Sequence, residues 1–285
     1  MKIIALINPA AGGVGPDGKG KIEQALALSG FVDARVLEFD PTTIAAQLLD
    51  IAAQNPDLLV VWGGDGTHRS ALKALGQSTT GIALLPGGTM NLLAKSLHGH
   101  KPWDVILKGI ISRPARRTLP CGQIGDEPFY CAMLAGAPAR FAEARESLRH
   151  GNVLEAVSKA RTALETFGSL HLKARYGSGE NSIEGDLPAS SIIGAMVGPT
   201  SHNGRMEVAS MAQSSSVSGL DMVWSSLHSG WRNLPGLTVM SAETLTVESE
   251  DGAAIPVILD GEAISAGACV RVRYVEAAAY CLSAG

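Results

Sequence analysis

The chain is short of several things. Cysteine occurs only at Cys121, Cys131, Cys269 and Cys281, with no Cys-x-x-Cys pair and no histidine at metal-ligand spacing. That excludes a disulfide scaffold and a zinc ribbon, and it fits a reduced compartment with buried thiols. Aromatic residues make up 5% of the chain and charged residues 18%, with 23 Lys+Arg against 27 Asp+Glu. The resulting formal net charge of −4 argues against wholesale nucleic-acid binding. Hydrophobic residues reach 46%, yet no apolar run approaches the roughly 20 residues that a membrane-spanning helix needs. The chain opens on a strand pattern, Lys2 to Ile7, rather than on a signal peptide. The expectation is a cytoplasmic protein whose membrane contact, if it has one, is peripheral.

Glycine, in contrast, is plentiful at 33 residues, and three short strings concentrate it beside carboxylates. They are Gly63-Gly64-Asp65-Gly66-Thr67, Pro86-Gly87-Gly88-Thr89 and Asp260-Gly261-Glu262. Each of the first two follows a short apolar run, Leu58 to Trp62 or Ile82 to Leu85, and opens onto a helical pattern. Consecutive backbone N–H groups without Cβ obstruction, near a helix N-terminus, can converge on one phosphate. A carboxylate inside such a cradle would repel a bare triphosphate. Its presence points to a site where Mg²⁺, a sugar hydroxyl or an attacking alcohol lies between.

The first half alternates strand and helix. Strands are expected over Lys2 to Ile7, Val32 to Phe39, Leu58 to Trp62 and Ile82 to Leu85. Helices are expected over Lys19 to Leu28, Ile44 to Ala53, His68 to Leu75, Met90 to Leu97 and Pro102 to Ser112. This order implies a parallel, doubly wound α/β sheet with ligands at the carboxyl ends of its strands. Cys121 to Tyr130 reads as turn-rich, and short alternating stretches then run from Leu170 to Val275, separated by Gly177-Ser178-Gly179, Asn203-Gly204 and Asp251-Gly252. That is the signature of an antiparallel β-sandwich. The change of pattern divides the chain into an α/β domain, 1–120, and a β-rich domain, 121–276. One amphipathic helix, Val153 to Phe167, interrupts the second half; it packs on its own domain or walls an acyl-chain cleft.

Taken in order, these residues resemble the diacylglycerol kinase catalytic-domain superfamily of lipid kinases, which includes bacterial lipid kinases and the sphingosine and ceramide kinases. Asn8-Pro9 with Gly12-Gly13 looks like its opening loop, the string at 63–67 is its hallmark, and Pro86-Gly87-Gly88-Thr89-Met90-Asn91 looks like its Pro-x-Gly-Thr-x-Asn. Ser218-Gly219-Leu220-Asp221 and Asp260-Gly261-Glu262 are similar to its two later motifs. The resemblance implies an ATP-dependent kinase for a lipid alcohol, with Mg²⁺, and a final segment, 277–285, that rejoins the first domain. It implies that Asn8, Gly12, Gly63, Gly64, Asp65, Gly66, Thr67, Gly87, Gly88 and Thr89 hold ATP. Gly261 and Glu262 would approach the nucleotide from the second domain, and Arg149 would clamp phosphate. Asp260 would accept the proton of the attacking hydroxyl. Asp65 would share in catalysis by holding Mg²⁺ through water, bonding the nucleotide or supporting Asp260, and no metal ligand can be assigned.

Other residues read more plainly. Arg69 and Lys73 are expected to face solvent, and His98 with His100 lacks a third ligand for a metal. Arg113, Arg116 and Arg117 form a solvated face, with anionic phospholipid headgroups as the alternative. Three family carboxylates are replaced by Ser70, Leu92 and Pro120, which marks a divergent subgroup and leaves the metal arrangement open. Gly136-Ala137-Pro138-Ala139-Arg140 puts a cation where sphingoid-base kinases carry an acid, so a neutral alcohol, diacylglycerol or ceramide, is favoured over a free amino alcohol. An NAD-kinase-like enzyme and a non-catalytic lipid- or nucleotide-binding protein are the competing readings. No motif speaks to oligomeric state.

Overall fold

In the computed structural model the residues described are 1–40, 42–136, 171–179, 183–197, 204–212, 236–264 and 266–285. They form two compact units, one of Met1–Cys121 with Glu276–Gly285 and one of Gly122–Val275.

The first unit is built of β1 (Ile3–Ile7), α1 (Gly18–Leu28), β2 (Arg35–Glu38), α2 (Ile44–Ala53), β3 (Leu58–Gly63), α3 (Asp65–Leu75), β4 (Gly81–Pro86), α4 (Leu92–His98) and α5 (Trp103–Ser112). Every residue of β1 and β3 is buried, as expected of strands covered on both faces. The strands pair in parallel in the order β2-β1-β3-β4. The chain therefore winds one way from β1 to β2 and the other way from β3 to β4. The reversal lies between β1 and β3, and a crevice at their carboxyl ends is where an open α/β sheet binds its ligand. Trp62, fully buried at the end of β3, packs its ring 4.2 Å from that of Trp103 and donates to the Pro86 carbonyl.

The chain leaves this unit through β5 (Pro114–Ile124) and returns to it through β15 (Cys269–Ala284). β5 carries straight through Cys121, so the turn expected from there onward is confined to Gly125 and Asp126. On its return β15 places Leu282 parallel to Ala83 of β4. Ala279 is fully buried, and the Tyr280 N–H donates to the Gly76 carbonyl at 2.8 Å. Gln77 reaches the Ala277 and Ala278 carbonyls, Arg117 bonds Ser283, and the Arg116 guanidinium stacks 4.0 Å above the Tyr280 ring.

The second unit is antiparallel among its described strands. It contains β6 (Glu127–Phe129), β7 (Ala132–Gly136), β8 (Leu172–Gly177), β9 (Gly185–Met196), β10 (Met206–Ala212), β11 (Leu237–Ala242), β12 (Thr244–Ser249), β13 (Val257–Leu259) and β14 (Glu262–Ile264). Pairing runs β14-β13-β7-β9-β8-β12-β15, with β10 joining β9 to β11. Inward residues alternate along each strand, such as Leu172 and Ala174, Leu245 and Val247, Val270 and Val272, and together they form one core. The amphipathic segment at 153–167, Arg149, Ser218–Asp221 and Ala137–Arg140 lie outside the described residues. Two expectations about side chains are corrected: Cys269 is exposed, and Arg69 is buried at 9% exposure while Lys73 is exposed. Arg69 shares α3 with His68, Ala71 and Leu72 on the face turned inward, and its position in sequence gave no apolar signal of that.

Gly76 tests the packing of the returning strand. A Cβ there would lie 2.5 Å from Ala279 Cβ and 2.4 Å from the Leu72 carbonyl oxygen. Gly76→Ala is expected to lower unfolding stability in urea by about 1–3 kcal/mol through overpacking. Helix propensity alone gives the opposite sign, a gain of roughly 1 kcal/mol, so a stabilised variant would contradict this packing.

Candidate functional site

The three glycine-bearing loops of the first unit leave the carboxyl ends of β1, β3 and β4, and they touch one another backbone to backbone. A Cβ on Gly88 would sit 2.7 Å from Gly64 Cα, one on Gly87 3.1 Å from Gly63 Cα, and one on Gly13 2.9 Å from the Gly87 carbonyl oxygen. Glycine is required at these positions because two main chains occupy the space a side chain would fill. The Gly13 N–H donates to the Gly87 carbonyl and the Gly87 N–H to the Gly63 carbonyl, both at 2.8 Å.

Side chains complete the lacing. The Asn8 amide donates to Thr67 Oγ1 at 3.1 Å, while its own oxygen accepts from the Ala10 N–H. The Asp65 carboxylate accepts the N–H groups of Leu92 and Leu93, each at 3.1 Å, one on each oxygen. These are first-turn donors of α4, which have no partner within the helix, and a carboxylate also complements the helix dipole there. Asp65 thus ties the loop after β3 to the helix after β4. Asn91 stands in the left-handed region at φ 52°, and its Oδ1 accepts from Gly87 and Gly88 while its Nδ2 donates to the Gly88 carbonyl at 2.7 Å. Asparagine tolerates that conformation better than most residues. It also delays the helix expected from Met90, which begins at Leu92.

Of the loops singled out in sequence, 63–67 retains the donors for an anion. Gly64 is the extended N-cap of α3, and Asp65, Gly66 and Thr67 form the first turn rather than a loop preceding it. Their N–H groups have no acceptor within an α-helix, so the positive end of α3 opens beside the sheet's switch point. The N–H groups of Gly87 and Gly88 are instead turned inward to Asn91 and Gly63. What those two glycines supply is close approach.

Beneath the loops two histidines are buried. His68 is fully buried, with Nε2 3.0 Å from the Leu85 carbonyl; His98 is 7% exposed, and His68 Nδ1 and His98 Nε2 have no partner among the described residues. Burial pushes His68 below the ordinary imidazole range, with the nearby Asp65 charge and the Leu85 carbonyl opposing it only in part. Burial likewise pushes His98 down to about 4, against the Leu84 carbonyl and with help from the neighbouring His68 and Lys101, either of which would repel a charged imidazole.

In the second unit Asp260 and Gly261 are the two central residues of the β13–β14 hairpin, whose flanking pair is Leu259 and Glu262. Both have positive φ, 49° and 90°, as a two-residue type I′ turn requires. The Asp260 side chain folds back onto the start of β7. One oxygen accepts from Tyr130 N–H at 2.7 Å, and the other accepts from Cys131 and Ala132, both at 2.9 Å. At 9% exposure this is a carboxylate held in a fixed plane by main-chain donors. Glu262 is exposed. Neither the opening motif nor Asp-Gly-Glu reveals this arrangement in sequence, although Asp-Gly between apolar runs is a strong hairpin signal.

Among the described residues no three His, Cys, Asp or Glu side chains gather as a metal cage. Asp65 is engaged by α4 and Asp260 by the backbone of residues 130–132. No helix of the described residues is long and apolar enough to cross a membrane.

The buried histidines give a sign for pH dependence. Unfolding exposes His98 at an ordinary value near 6.5, so below that value the unfolded chain binds more protons than the native one. Stability is expected to be full above about 6.5 and to fall as pH drops toward about 4. Urea denaturation across that window checks it, and His98→Gln should flatten the slope; an unchanged slope would contradict the assignment.

Residues 2–122 match the family model described as the diacylglycerol kinase catalytic domain. Solved structures from Bacillus anthracis str. Sterne share the fold over nearly the whole length. One, described as a candidate diacylglycerol kinase, is 17% identical with a TM-score of 0.69, covering 99% of this chain and 97% of that one. Another candidate diacylglycerol kinase is 19% identical at 0.66, covering 98% and 96%. A third, described as a diacylglycerol kinase, is 15% identical at 0.64, covering 99% and 96%. At such identities the structures speak for the fold, an α/β unit with an antiparallel β unit, while the family match speaks for the first unit's sequence. Over residues 2–122, then, the chain is similar in sequence to the diacylglycerol kinase catalytic domain.

Proposed function

We propose that the protein is an ATP-dependent lipid kinase that phosphorylates the hydroxyl of a neutral lipid alcohol, diacylglycerol or ceramide. The observation that carries the reading is the open N-terminus of α3 at the sheet's switch point, within a segment that matches the family's catalytic domain. The nucleotide's phosphates bind at Gly64 to Thr67, with Gly12 and Thr89 flanking them and Gly87 and Gly88 letting the chain approach. The divalent cation arrives on those phosphates as part of the substrate. Phosphoryl transfer then needs little covalent help from the protein beyond in-line positioning and charge neutralisation.

Asp260 orients the lipid hydroxyl and takes its proton, with Gly261 and Glu262 beside the nucleotide and Arg149 on phosphate. A carboxylate whose plane is set by three main-chain donors is suited to that task, since it needs no reorganisation when the hydroxyl arrives. Neutral lipid substrates place the enzyme in the cytoplasm, peripheral on the inner membrane face. A non-catalytic binding role has one feature in its favour: the carboxylates replaced by Ser70, Leu92 and Pro120, together with the engagement of Asp65 by α4.

Incubation with Mg-ATP labelled on the γ-phosphate, against dispersed diacylglycerol, ceramide, a sphingoid base and NAD, separates the readings. Label is expected in diacylglycerol or ceramide. Label on NAD, or nucleotide binding without transfer to any acceptor, would refute the lipid-kinase reading. Asp260→Asn is expected to lower turnover by at least about 100-fold while ATP affinity stays within a few-fold. Near-normal turnover in that variant would remove Asp260 from the chemistry. Its melting temperature should fall as well, because the amide's NH₂ meets a backbone N–H.

A further inference from the structure

The outward face of β8, β12 and β15 follows a charge pattern with one break. Lys173 pairs with Glu250 at 2.8 Å, Arg175 with Glu248 at 2.9 Å and Arg205 with Glu243 at 3.5 Å. Arg271 and Arg273 are different. Their register partners on β12 are Thr246 and Thr244, where a sheet stabilised by cross-strand ion pairs would place carboxylates. Both arginines are exposed, and two residues apart on one strand they share a face at a spacing of about 7 Å. Arg273 donates to Gln123 Oε1 at 2.7 Å, and among the described residues Arg271 has no partner. Two adjacent guanidinium groups without an opposing charge repel each other in the free protein.

The same residues line a groove of about 660 Å³ within the second unit, with Arg175, Thr244, Thr246, Gln123 and Ile183 around it. The acids near it have partners of their own: Glu248 is held by Arg175, Asp186 stands opposite Arg175 in register, and Glu184, beside Ile183, accepts from the Ser178 hydroxyl. Thr244 Oγ1 is spent on the Gly177 and Gly179 carbonyls, whereas Thr246 makes no side-chain bond among the described residues. Ile183, at 64% exposure, is a bare apolar side chain on the rim. Guanidinium forks suit the oxygens of a phosphate, and the hydroxyl of Thr246, opposite Arg271 on the neighbouring strand, adds a donor beside them.

We infer that Arg271, Arg273 and Thr246 form a binding site for the phosphate of an anionic phospholipid headgroup, with Ile183 entering the acyl boundary beside it. The rim isoleucine favours a lipid surface over a soluble phosphate ester, which would leave that side chain in water. The site is built from residues of the second unit alone, and it stands or falls on binding alone, whether or not the chain transfers phosphate.

The test is co-sedimentation of the full chain with phosphatidylcholine vesicles with and without phosphatidylglycerol, beside calorimetric titration with glycerol 1-phosphate. Wild type is expected to prefer the phosphatidylglycerol vesicles, and Arg271→Gln/Arg273→Gln to bind them about tenfold more weakly with an unchanged melting temperature. Ile183→Ser should weaken vesicle binding without altering its salt dependence. If the glutamine variant melts early, Arg271→Lys/Arg273→Lys and Thr246→Val carry the comparison, each expected to weaken binding less. Equal binding of phosphatidylglycerol vesicles by wild type and variants overturns the inference. So does binding of glycerol 1-phosphate with no preference among vesicles, which would make the groove a soluble-phosphate site.

Discussion

Everything at the sheet's ligand end depends on three loops being laced to one another before any ligand arrives. Asn8 holds Thr67, Asp65 holds the first turn of α4, and Asn91 holds Gly87 and Gly88. The first two cross between loops, and the third closes the loop after β4 on itself while its Gly87 N–H reaches the Gly63 carbonyl, so the turns become parts of a shared platform. The glycines make it possible, because Gly63, Gly64, Gly87 and Gly88 meet main chain to main chain. Loops assembled in this way pay their ordering entropy during folding rather than on binding a ligand.

The platform also has a firm underside. Trp62 against Trp103, and the neutral histidines at 68 and 98, fill the space under the loops without mobile charge. In the second unit the same device appears in another form: Asp260 is locked by three main-chain N–H groups at the tip of a two-residue hairpin. Fixed dipoles and fixed carboxylates are what phosphoryl transfer asks of a protein, since its transition state is stabilised by position and charge. The engaged carboxylates at 65 and 260 are therefore compatible with catalysis.

Much of this was legible in the sequence. Continuous apolar runs announced β1, β3 and β4, and the alternation of strands and helices announced the parallel sheet. Alternating stretches such as Val270 to Tyr274 announced the antiparallel unit. The partners of the polar residues were not legible, because they are set by contacts between loops far apart in the chain. Asp65 reads as a candidate ligand for metal or nucleotide, yet it serves α4, 27 and 28 residues on. Arg69 reads as a solvent-facing cation and is buried, since helical spacing gives the face but not its depth. Asp260 drew notice as an acid, whereas its neighbours at 130–132 carry no motif.

The most direct measurement of the central claim is amide hydrogen exchange at Gly87 and Gly88 in the nucleotide-free protein. If the loops are laced as described, both amides are strongly protected without ligand, and Asn91→Ala releases Gly88 while Gly87 stays held by the Gly63 carbonyl. Rapid exchange of both in the wild type, with protection appearing only when nucleotide is added, would contradict a prebuilt platform.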